Sequence, residues 1–241
     1  MESDSAAAAA RRPIRLMTWN IHGGLGPDGR FDLARVVHII RAHDPDIIAL
    51  QEVDSRGRGN GPDSPFTFLA SALGIHAAAA HTIVAPDGHY GHLLISRWGL
   101  SGVTLHDLSH ARCEKRCGIE AMVHTPQGKL HVTAVHLGLR ITERRFQAAK
   151  LANIAATGGA ASVMMGDFND WWRGSVKRAL ERELPDHSSL RTFPAARPLL
   201  MLDRIYCRPA GALLRAWTDR AARDVSDHLP VMAELNLPTA A

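Results

Sequence analysis

Short apolar runs alternate with amphipathic stretches along most of the 241-residue chain. Residues 46–51, DIIALQ, form a short continuous apolar run, which is typical of a strand buried on both faces. Residues 31–40 instead place apolar side chains at helical spacing, with Asp32 near the start as the expected cap. Pro45 ends this helical unit, and both patterns recur along the chain, which indicates an α/β domain.

The remaining elements follow from the same two periodicities. Three more helices are predicted, at residues 66–73, 143–156 and 175–183. Ten more strands are predicted, at residues 14–19, 77–84, 93–96, 103–108, 118–124, 130–136, 162–166, 202–207, 213–218 and 230–235. Stretches rich in glycine and proline, at residues 23–29 and 54–65, are predicted to be loops.

Length and composition favour one domain. The chain is 46% hydrophobic, which is enough for a sizeable core, and no linker-like stretch divides it. Residues 1–12 lack a periodic apolar face, so we expect a flexible tail there and a single domain over residues 13–241. No run approaches the ~20 apolar residues of a membrane span, and the alanine run at 6–10 is too short for a signal segment. We therefore expect a cytoplasmic protein.

Charge and cysteine content narrow the function only slightly. The net charge of +4 tolerates a polyanionic partner without requiring one. The three cysteines, Cys113, Cys117 and Cys207, are an odd number and lack a second Cys or His pair at zinc spacing. We interpret them as ordinary thiols in a reducing compartment.

Polar side chains occupy the ends of several predicted strands. Apolar runs end or begin at six such places, namely Asn20, Glu52, His136, Asp167 with Asn169, Asp203, and Asp227 with His228. In layered α/β domains, polar groups at strand ends line a crevice at the sheet edge, where ligands bind. Turn chemistry accounts for one or two of these residues but not for the whole set.

Four of these residues suit the hydrolysis of a phosphate ester. Glu52 and Asp227 could supply the one or two carboxylates that Mg²⁺ usually takes from a protein. Asp167 and Asn169 are two positions apart, so in an extended segment their side chains point the same way. The acid could then orient a water molecule while the amide donates to a phosphoryl oxygen.

His228 needs a carboxylate partner to remain oriented and protonated. The adjacent Asp227 points the opposite way in an extended chain, so Asp203 is the more suitable partner. His136 could add a further donor, and Arg116 could hold a phosphate through its bidentate fork. The ordinary alternatives are a histidine in a turn and a surface arginine.

Taken together, the motifs resemble the endonuclease/exonuclease/phosphatase superfamily, which includes deoxyribonuclease I. The resemblance covers residues 14–236 and rests on TWNIHG (18–23), LQEVD (50–54), VHLGL (135–139), GDFND (166–170), LDRIY (202–206) and SDHLP (226–230). It implies a four-layer α/β sandwich, in which two mixed β-sheets pack face to face with helices outside. It also implies a metal-dependent phosphoric ester hydrolase of the nuclease, phosphodiesterase or phosphatase type.

The resemblance implies a site with one principal metal ligand. Glu52 would bind Mg²⁺, or Mn²⁺ as the alternative ion, with Asn20 in support and Asp227 near the metal. Each of these residues lies in a quoted motif, so none of the metal-site positions is missing from this chain.

The catalytic roles also come from the resemblance. Asp167 would orient or deprotonate the attacking water, and Asn169 would contact the scissile phosphate. His228, held by Asp203, would stabilise the transition state, while His136 would assist as a donor or acid.

Finer motifs, such as GHYGHLLISR (88–97) and GDFNDWW (166–172), resemble a small bacterial subgroup often encoded beside a phospholipase D-type cardiolipin synthase. His92 departs from the family pattern, which commonly has an Asn there that supports the site from an adjacent strand. We include His92, Arg116 and Trp171 among the candidate substrate-binding residues. Trp171 and Trp172 could touch an apolar substrate, although structural burial is the more ordinary fate of tryptophan.

The substrate remains open at this point. Nucleic acid is favoured by the basic charge and by Arg56 and Arg58, although only 5% of residues are aromatic and no stacking series is evident. A phospholipid or phosphorylated headgroup is favoured only by the gene neighbourhood of the subgroup. A third alternative, an accessory protein without activity, conflicts with the complete catalytic set. We expect a monomer.

Overall fold

The computed structural model describes residues 12–74, 76–171 and 174–237. Its strands are β1 (Ile14–Asn20), β2 (Ile47–Asp54), β3 (His76–Ala85), β4 (Gly88–Ser96), β5 (Leu100–Asp107), β6 (Cys117–Thr125), β7 (Gly128–His136), β8 (Ser162–Asp167), β9 (Asp186–His187), β10 (Asp203–Arg208), β11 (Leu213–Thr218) and β12 (Val231–Leu235). Its helices are α1 (Leu33–His43), α2 (Pro65–Leu73), α3 (Ile141–Thr157) and α4 (Ser175–Leu180), with 3-10 segments at His22–Gly24 and Arg220–Asp224.

The strands form two six-stranded mixed sheets. Sheet I has the order β11-β12-β1-β2-β4-β3, and sheet II has the order β5-β6-β7-β8-β10-β9. The pairs β1–β2 and β7–β8 are parallel, and the other neighbours are antiparallel. Each sheet therefore carries one parallel pair near its centre, and these two pairs supply most of the polar strand ends discussed above.

Three apolar clusters account for the layering. Between the sheets, Leu16 and Ala49 of sheet I belong to the same buried cluster as Ile119 and Val132 of sheet II. The outer face of sheet I packs against α1 and α2, and the outer face of sheet II packs against α3 and α4. These contacts confirm the predicted four-layer sandwich of two mixed sheets with helices outside.

Several element boundaries differ from the prediction. β4 begins at Gly88 rather than residue 93, because GHYGH lacks an apolar alternation although its backbone pairs with β2 and β3. β2 continues past residue 51 to Asp54, and α4 ends at Leu180 because residues 181–183 form a turn. The two-residue β9 is too short for a periodic signal.

Among the described helices, none has the length and apolarity needed to cross a bilayer.

The strand directions place the polar strand ends at one edge of both sheets. β1 and β2 run parallel and end at this edge, as do β7 and β8, whereas β10 and β12 begin there. In sheet II, His136 pairs with Asp167, and Asp167 pairs with Asp203, so three candidate residues are direct neighbours. We call this edge the site edge.

The predicted tail lies outside the described residues apart from Arg12. The Arg12 guanidinium pairs with the Asp46 carboxylate at 2.5 Å, and the Arg12 carbonyl accepts a hydrogen bond from Gln127 Nε2 at 2.8 Å. Asp46 is buried and also pairs with Arg97 at 2.8 Å. Arg12 therefore contacts the domain, although the sequence analysis assigned it to the tail.

This contact gives a prediction for truncation. Deletion of residues 1–11 should leave the melting temperature unchanged, whereas adding Arg12→Ala should lower it by about 1 to 4 °C, since a half-exposed ion pair contributes about 0.5–1 kcal/mol. Thermal unfolding of both proteins at low and high salt measures the difference, which salt should reduce. A large loss on deletion of residues 1–11 alone would show that the tail packs against the domain.

Candidate active site

One buried amide joins the two sheets at the site edge. Asn20 Nδ2, from sheet I, donates to Glu52 Oε1 at 2.9 Å and to Asp167 Oδ2, from sheet II, at 3.1 Å. Asn20 Oδ1 accepts from the backbone N–H of His22 at 3.1 Å, which fixes the orientation of the amide. Ser226 Oγ donates to the Asn20 carbonyl at 2.7 Å and ties the segment before β12 to the same point.

A β-bulge places Glu52 inside β2 rather than at its end. Leu50 pairs with Leu93 and Val53 with Gly91, so Gln51 and Glu52 face the single residue His92 on β4. Glu52 has a φ of 57°, in the left-handed region. Bulges redirect side chains near functional sites, and here the bulge leaves Glu52 beside the Asn20 amide, where its carboxylate remains partly exposed.

Backbone strain is concentrated at this edge. His22, Glu52 and Asn169 have φ values of 47°, 57° and 48°, and each is a non-glycine residue in the left-handed region. Such conformations cost about 1–3 kcal/mol each, and they persist where surrounding contacts enforce them. At Asn169 those contacts are its backbone N–H, which donates to Asp167 Oδ1 at 2.9 Å, and its Nδ2, which donates to the Leu137 carbonyl at 3.0 Å.

His228 is held by Asp203 and not by its neighbour Asp227. His228 Nδ1 bonds to Asp203 Oδ2 at 2.8 Å, and Thr192 Oγ1 donates to the same oxygen at 2.5 Å. Burial disfavours the imidazolium, but the charge and hydrogen bond of Asp203, with the charges of Asp167 and Asp227, outweigh burial and raise the pKa of His228 to about 10. The ring is therefore a cation at neutral pH.

The surroundings of Asp167 disfavour its charged form, whereas those of His228 favour its charged form. Its burial, followed by the nearby Asp203 charge, raises the pKa of Asp167 to about 6, although His228 and the hydrogen bonds from Asn20 and Asn169 act in the other direction. His228 Nε2 lies 4.0 Å from Asp167 Oδ2. An acid with a pKa near neutrality, next to a fixed cation, can accept a proton from a bound water molecule.

His136 is a neutral donor in this arrangement. Arg116 Nη1 lies 3.1 Å from His136 Nδ1 and 3.4 Å from Nε2, and the shorter contact assigns the ring proton to Nε2. His136 Nε2 is 3.6 Å from Asp167 Oδ2 and 3.8 Å from Glu52 Oε1. Burial, and then the Arg116 charge, lower the pKa of His136 well below its ordinary value. The structure thus favours the donor role over the acid role that the family resemblance left open.

The three candidate substrate-binding residues differ in exposure. Arg116 is only 7% exposed, and its guanidinium contacts His136 and Glu114, which places it behind the site. His92 is buried opposite the bulge, where burial and the Arg116 charge lower its pKa to about 4, and its Nε2 has no partner. Trp171 is 53% exposed, contrary to the expected burial, and Trp172 lies outside the described residues.

The donor set fits a divalent cation near Glu52. Glu52, Asp167 and Asp227 have no lysine or arginine partner within 4.0 Å in the parts of the chain that the structure describes, and the basic side chains within that distance are histidines. Clustered carboxylates without a counter-ion are costly unless a cation binds between them. Asn20 donates to Glu52 through Nδ2, so it orients this ligand by a hydrogen bond.

A second group of candidate ligand atoms lies deeper in the site. Asp167, Asp203 and His228 present ligand-type atoms within 4.8 Å of one another. However, His228 Nδ1 is bonded to Asp203 Oδ2 at 2.8 Å, and the raised pKa of His228 leaves it positively charged. A protonated imidazole repels a cation, so the geometry favours the Glu52 side of the cleft for metal binding.

An open cleft of about 360 Å³ adjoins Glu52. It is lined by residues of β2, β3, β4 and the segments that follow β1, β2 and β5, namely His22, Gly23, Leu25, Glu52, Asp54, Arg56, Arg58, Ile83, Tyr90 and Glu114. Arg56 is paired with Asp54 at 2.7 Å and lies over the Tyr90 ring, whereas Arg58 lies over the Phe31 ring. The cleft can therefore admit a charged group next to the carboxylates.

Sequence reasoning missed four residues that support the site. Thr192 bonds Asp203, Ser226 bonds the Asn20 carbonyl, His22 bonds the Asn20 amide through its backbone, and Tyr90 lines the cleft. His22 and Ser226 lie within the quoted motifs, so motif membership was an available signal. Tyr90 also lies in a quoted motif, GHYGHLLISR, whereas Thr192 comes from a loop whose approach to Asp203 depends on the tertiary fold.

Comparison with known proteins identifies a matching family model and a related protein. The model of the Endonuclease/Exonuclease/phosphatase family matches residues 17–228. The chain is 34% identical, over 93% of its length and 96% of the relative, to the uncharacterized protein YbhP of Escherichia coli K12.

Solved structures share the fold. An endonuclease/exonuclease/phosphatase of Beutenbergia cavernae superposes with a TM-score of 0.75 at 22% identity, covering 94% of this chain and 72% of that one. The human Nocturnin catalytic domain, solved with a bound sulfate anion, superposes with a TM-score of 0.70 at 20% identity, covering 94% of each chain.

The Asp203–His228 pair yields a prediction about protonation. In Asp203→Asn the His228 imidazolium loses its main partner, so the pKa of His228 should fall from about 10 to its ordinary 6.5 or below. Titration of the His228 ring by NMR measures this directly. Thr192→Ser, which keeps the hydroxyl donor to Asp203, should titrate like the wild type.

The sign of the stability effect follows from linkage. Because the pKa of His228 is raised above 6.5 in the folded state, its stabilising contribution is complete below pH 6.5 and is lost as pH rises through about 10. The stability gap between wild type and Asp203→Asn should therefore shrink over that range. A gap that grows with pH would contradict the ion pair.

Proposed function

The chain belongs to the endonuclease/exonuclease/phosphatase family, and from this premise we propose that it hydrolyses phosphodiester bonds with the help of a divalent metal ion. Members of this family are mostly hydrolases of phosphate esters. The observation that carries the proposal is the Asn20 amide, which holds the Glu52 and Asp167 carboxylates together beside a cationic His228.

In the proposed reaction, water attacks the phosphorus and the P–O bond to the leaving group breaks. Asp167 accepts the proton of the attacking water, because its carboxylate is buried, is oriented by Asn20 and Asn169, and has a pKa near neutrality. The cation of His228, fixed by Asp203, stabilises the negative charge that develops on the phosphoryl oxygens.

Two further donors complete the cradle for the phosphate. The Nε2–H of neutral His136 faces the carboxylates, and Asn169 keeps one amide N–H after its bond to the Leu137 carbonyl. A Mg²⁺ or Mn²⁺ ion held by Glu52, with Asp227 nearby, would neutralise phosphate charge and assist departure of the leaving oxygen. The human Nocturnin catalytic domain, which shares the fold, was solved with a bound sulfate, a tetrahedral oxyanion like phosphate.

The metal proposal predicts a specific loss. Glu52→Gln keeps the shape of the side chain but removes its charge, so hydrolysis of bis-p-nitrophenyl phosphate should fall at least ~10²-fold and need more Mg²⁺. Asp54→Asn removes a carboxylate that lines the same cleft and pairs with Arg56, so it is the matched control and should keep its Mg²⁺ dependence. Undiminished activity of the wild type in EDTA would remove the metal from the proposal.

The turn after β8 predicts two different catalytic losses. Asp167→Asn removes the base, so kcat should fall by about 10²–10⁴ while substrate binding changes little. Asn169→Ala removes a donor to developing charge, worth about 10²–10³ in the comparable oxyanion case. Both kcat values should be measured per folded molecule, alongside thermal unfolding.

Asp170 provides the structural control in the same turn. Its Oδ2 accepts from the backbone N–H groups of Val176 and Lys177 at 3.0 and 3.2 Å, so it caps α4. Asp170→Ala should lower the melting temperature and keep near-normal turnover per folded molecule. If Asp167→Asn behaves in this way instead, the residue only closes a turn and the catalytic role is wrong.

A further inference from the structure

Exposed apolar side chains are concentrated around the candidate site. Leu139, Trp171, Leu199 and Met201 are 72%, 53%, 57% and 39% exposed. They lie on the three loops that follow His136, follow Asn169 and precede Asp203. We call these four side chains the apolar rim.

The strand register places the apolar rim at one edge. The backbone N–H of Leu137 donates to the Asp167 carbonyl at 2.9 Å, and that of Phe168 donates to the Leu202 carbonyl at 2.9 Å. The three loops therefore leave the sheet side by side. On sheet I the site edge adds three more exposed apolar residues, Leu25, Phe31 and Val84.

The opposite edge of the sandwich provides an internal comparison. Its described loops are residues 44–46, 97–99, 126–127, 158–161, 181–185 and 209–212, and none of the exposed large hydrophobic residues lies in them. Scattered exposed apolar residues are normal, but their concentration at one edge indicates an interaction surface.

Unpaired arginines accompany the apolar rim. Arg140, Arg191 and Arg197 are exposed, and none of them has a carboxylate within 4.0 Å among the residues described. The loops at residues 137–140 and 188–202 contain no aspartate or glutamate, and Asp170, in the loop that follows Asn169, is buried. The surface is therefore both apolar and cationic.

We propose that the apolar rim and its arginines dock onto an anionic phospholipid bilayer, so that a lipid headgroup phosphodiester reaches the site. A nucleic acid would use the arginines but would leave exposed leucine and methionine without a partner. An anionic bilayer accepts both, since apolar side chains enter the interface while arginines contact headgroup phosphates. The choice of substrate class rests on the proposed function, but the docking itself does not.

Sedimentation with vesicles tests the docking on the full chain. Wild type should bind vesicles containing phosphatidylglycerol more strongly than vesicles of phosphatidylcholine alone, and more strongly than single-stranded DNA. Leu139→Ser with Leu199→Ser should weaken this binding by about tenfold or more, because the exposed apolar area falls. The matched pair Val103→Ser with Leu214→Ser changes exposed residues on β5 and β11, and should bind like wild type.

A second double variant tests the contribution of the arginine charges to vesicle binding. Arg140→Gln with Arg197→Gln should weaken binding to phosphatidylglycerol vesicles roughly 30-fold, from about a fivefold contribution per arginine. Lys129→Gln with Arg182→Gln removes the same charge near the opposite edge and should have little effect. All four double variants should hydrolyse soluble bis-p-nitrophenyl phosphate at the wild-type rate, which shows that they are folded.

The outcomes separate docking from catalysis. Glu52→Gln should bind vesicles normally, because it changes the reaction and leaves the apolar rim intact. Hydrolysis of the soluble diester without vesicle binding, preference for single-stranded DNA over vesicles, or equal losses in rim and control pairs would each overturn the docking. Vesicle binding with no phosphate-ester hydrolysis would instead overturn the proposed function and leave the docking supported.

Discussion

A single amide between two sheets is the contact on which the site depends. Asn20 Nδ2 donates to a carboxylate of its own sheet and to one of the opposite sheet, at 2.9 and 3.1 Å. Both bonds exist only when the apolar layer between the sheets sets their spacing, so core packing and site geometry are linked. A cavity between the sheets would displace Glu52 from Asp167 even though neither residue lies in that layer.

The electrostatics of the site follow from the short distance between the Glu52 and Asp167 carboxylates. Carboxylates from both sheets meet here, and among the described residues the basic side chains within 4.0 Å of Glu52 and Asp167 are histidines. Asp203 raises the pKa of His228 to about 10, whereas burial and then the Arg116 charge keep His136 neutral, so two histidines of one site have opposite states at neutral pH. The left-handed backbones of Glu52 and Asn169 add a conformational cost, which is consistent with a site that is not optimised for stability.

Much of the fold and the site could be predicted from the sequence because each depends on local patterns. Apolar runs ending in Asn20, His136 and Asp167 indicate strands with polar ends, and the family resemblance orders them into one site. The bulge at Glu52 could not be predicted, because it depends on how β2 pairs with β4. The burial of Arg116 and His92 and the exposure of Trp171 depend on which strand lies next to each residue, which is a property of the assembled sheets.

The candidate catalytic groups lie at strand ends, whereas the surface available to a substrate is formed by the surrounding loops. Strand ends fix the positions of the candidate catalytic groups, of which Asn20, Asp167 and His228 are buried and hydrogen-bonded within the site. The loops between them carry Leu139, Arg140 and Leu199, which are exposed, and Arg140 has no carboxylate within 4.0 Å among the described residues. If the proposed function holds, these loops can change without disturbing the chemistry, and the surface that surrounds the site selects the substrate. In this protein that surface combines apolar side chains with unpaired arginines, and a phosphate at an apolar boundary matches both features.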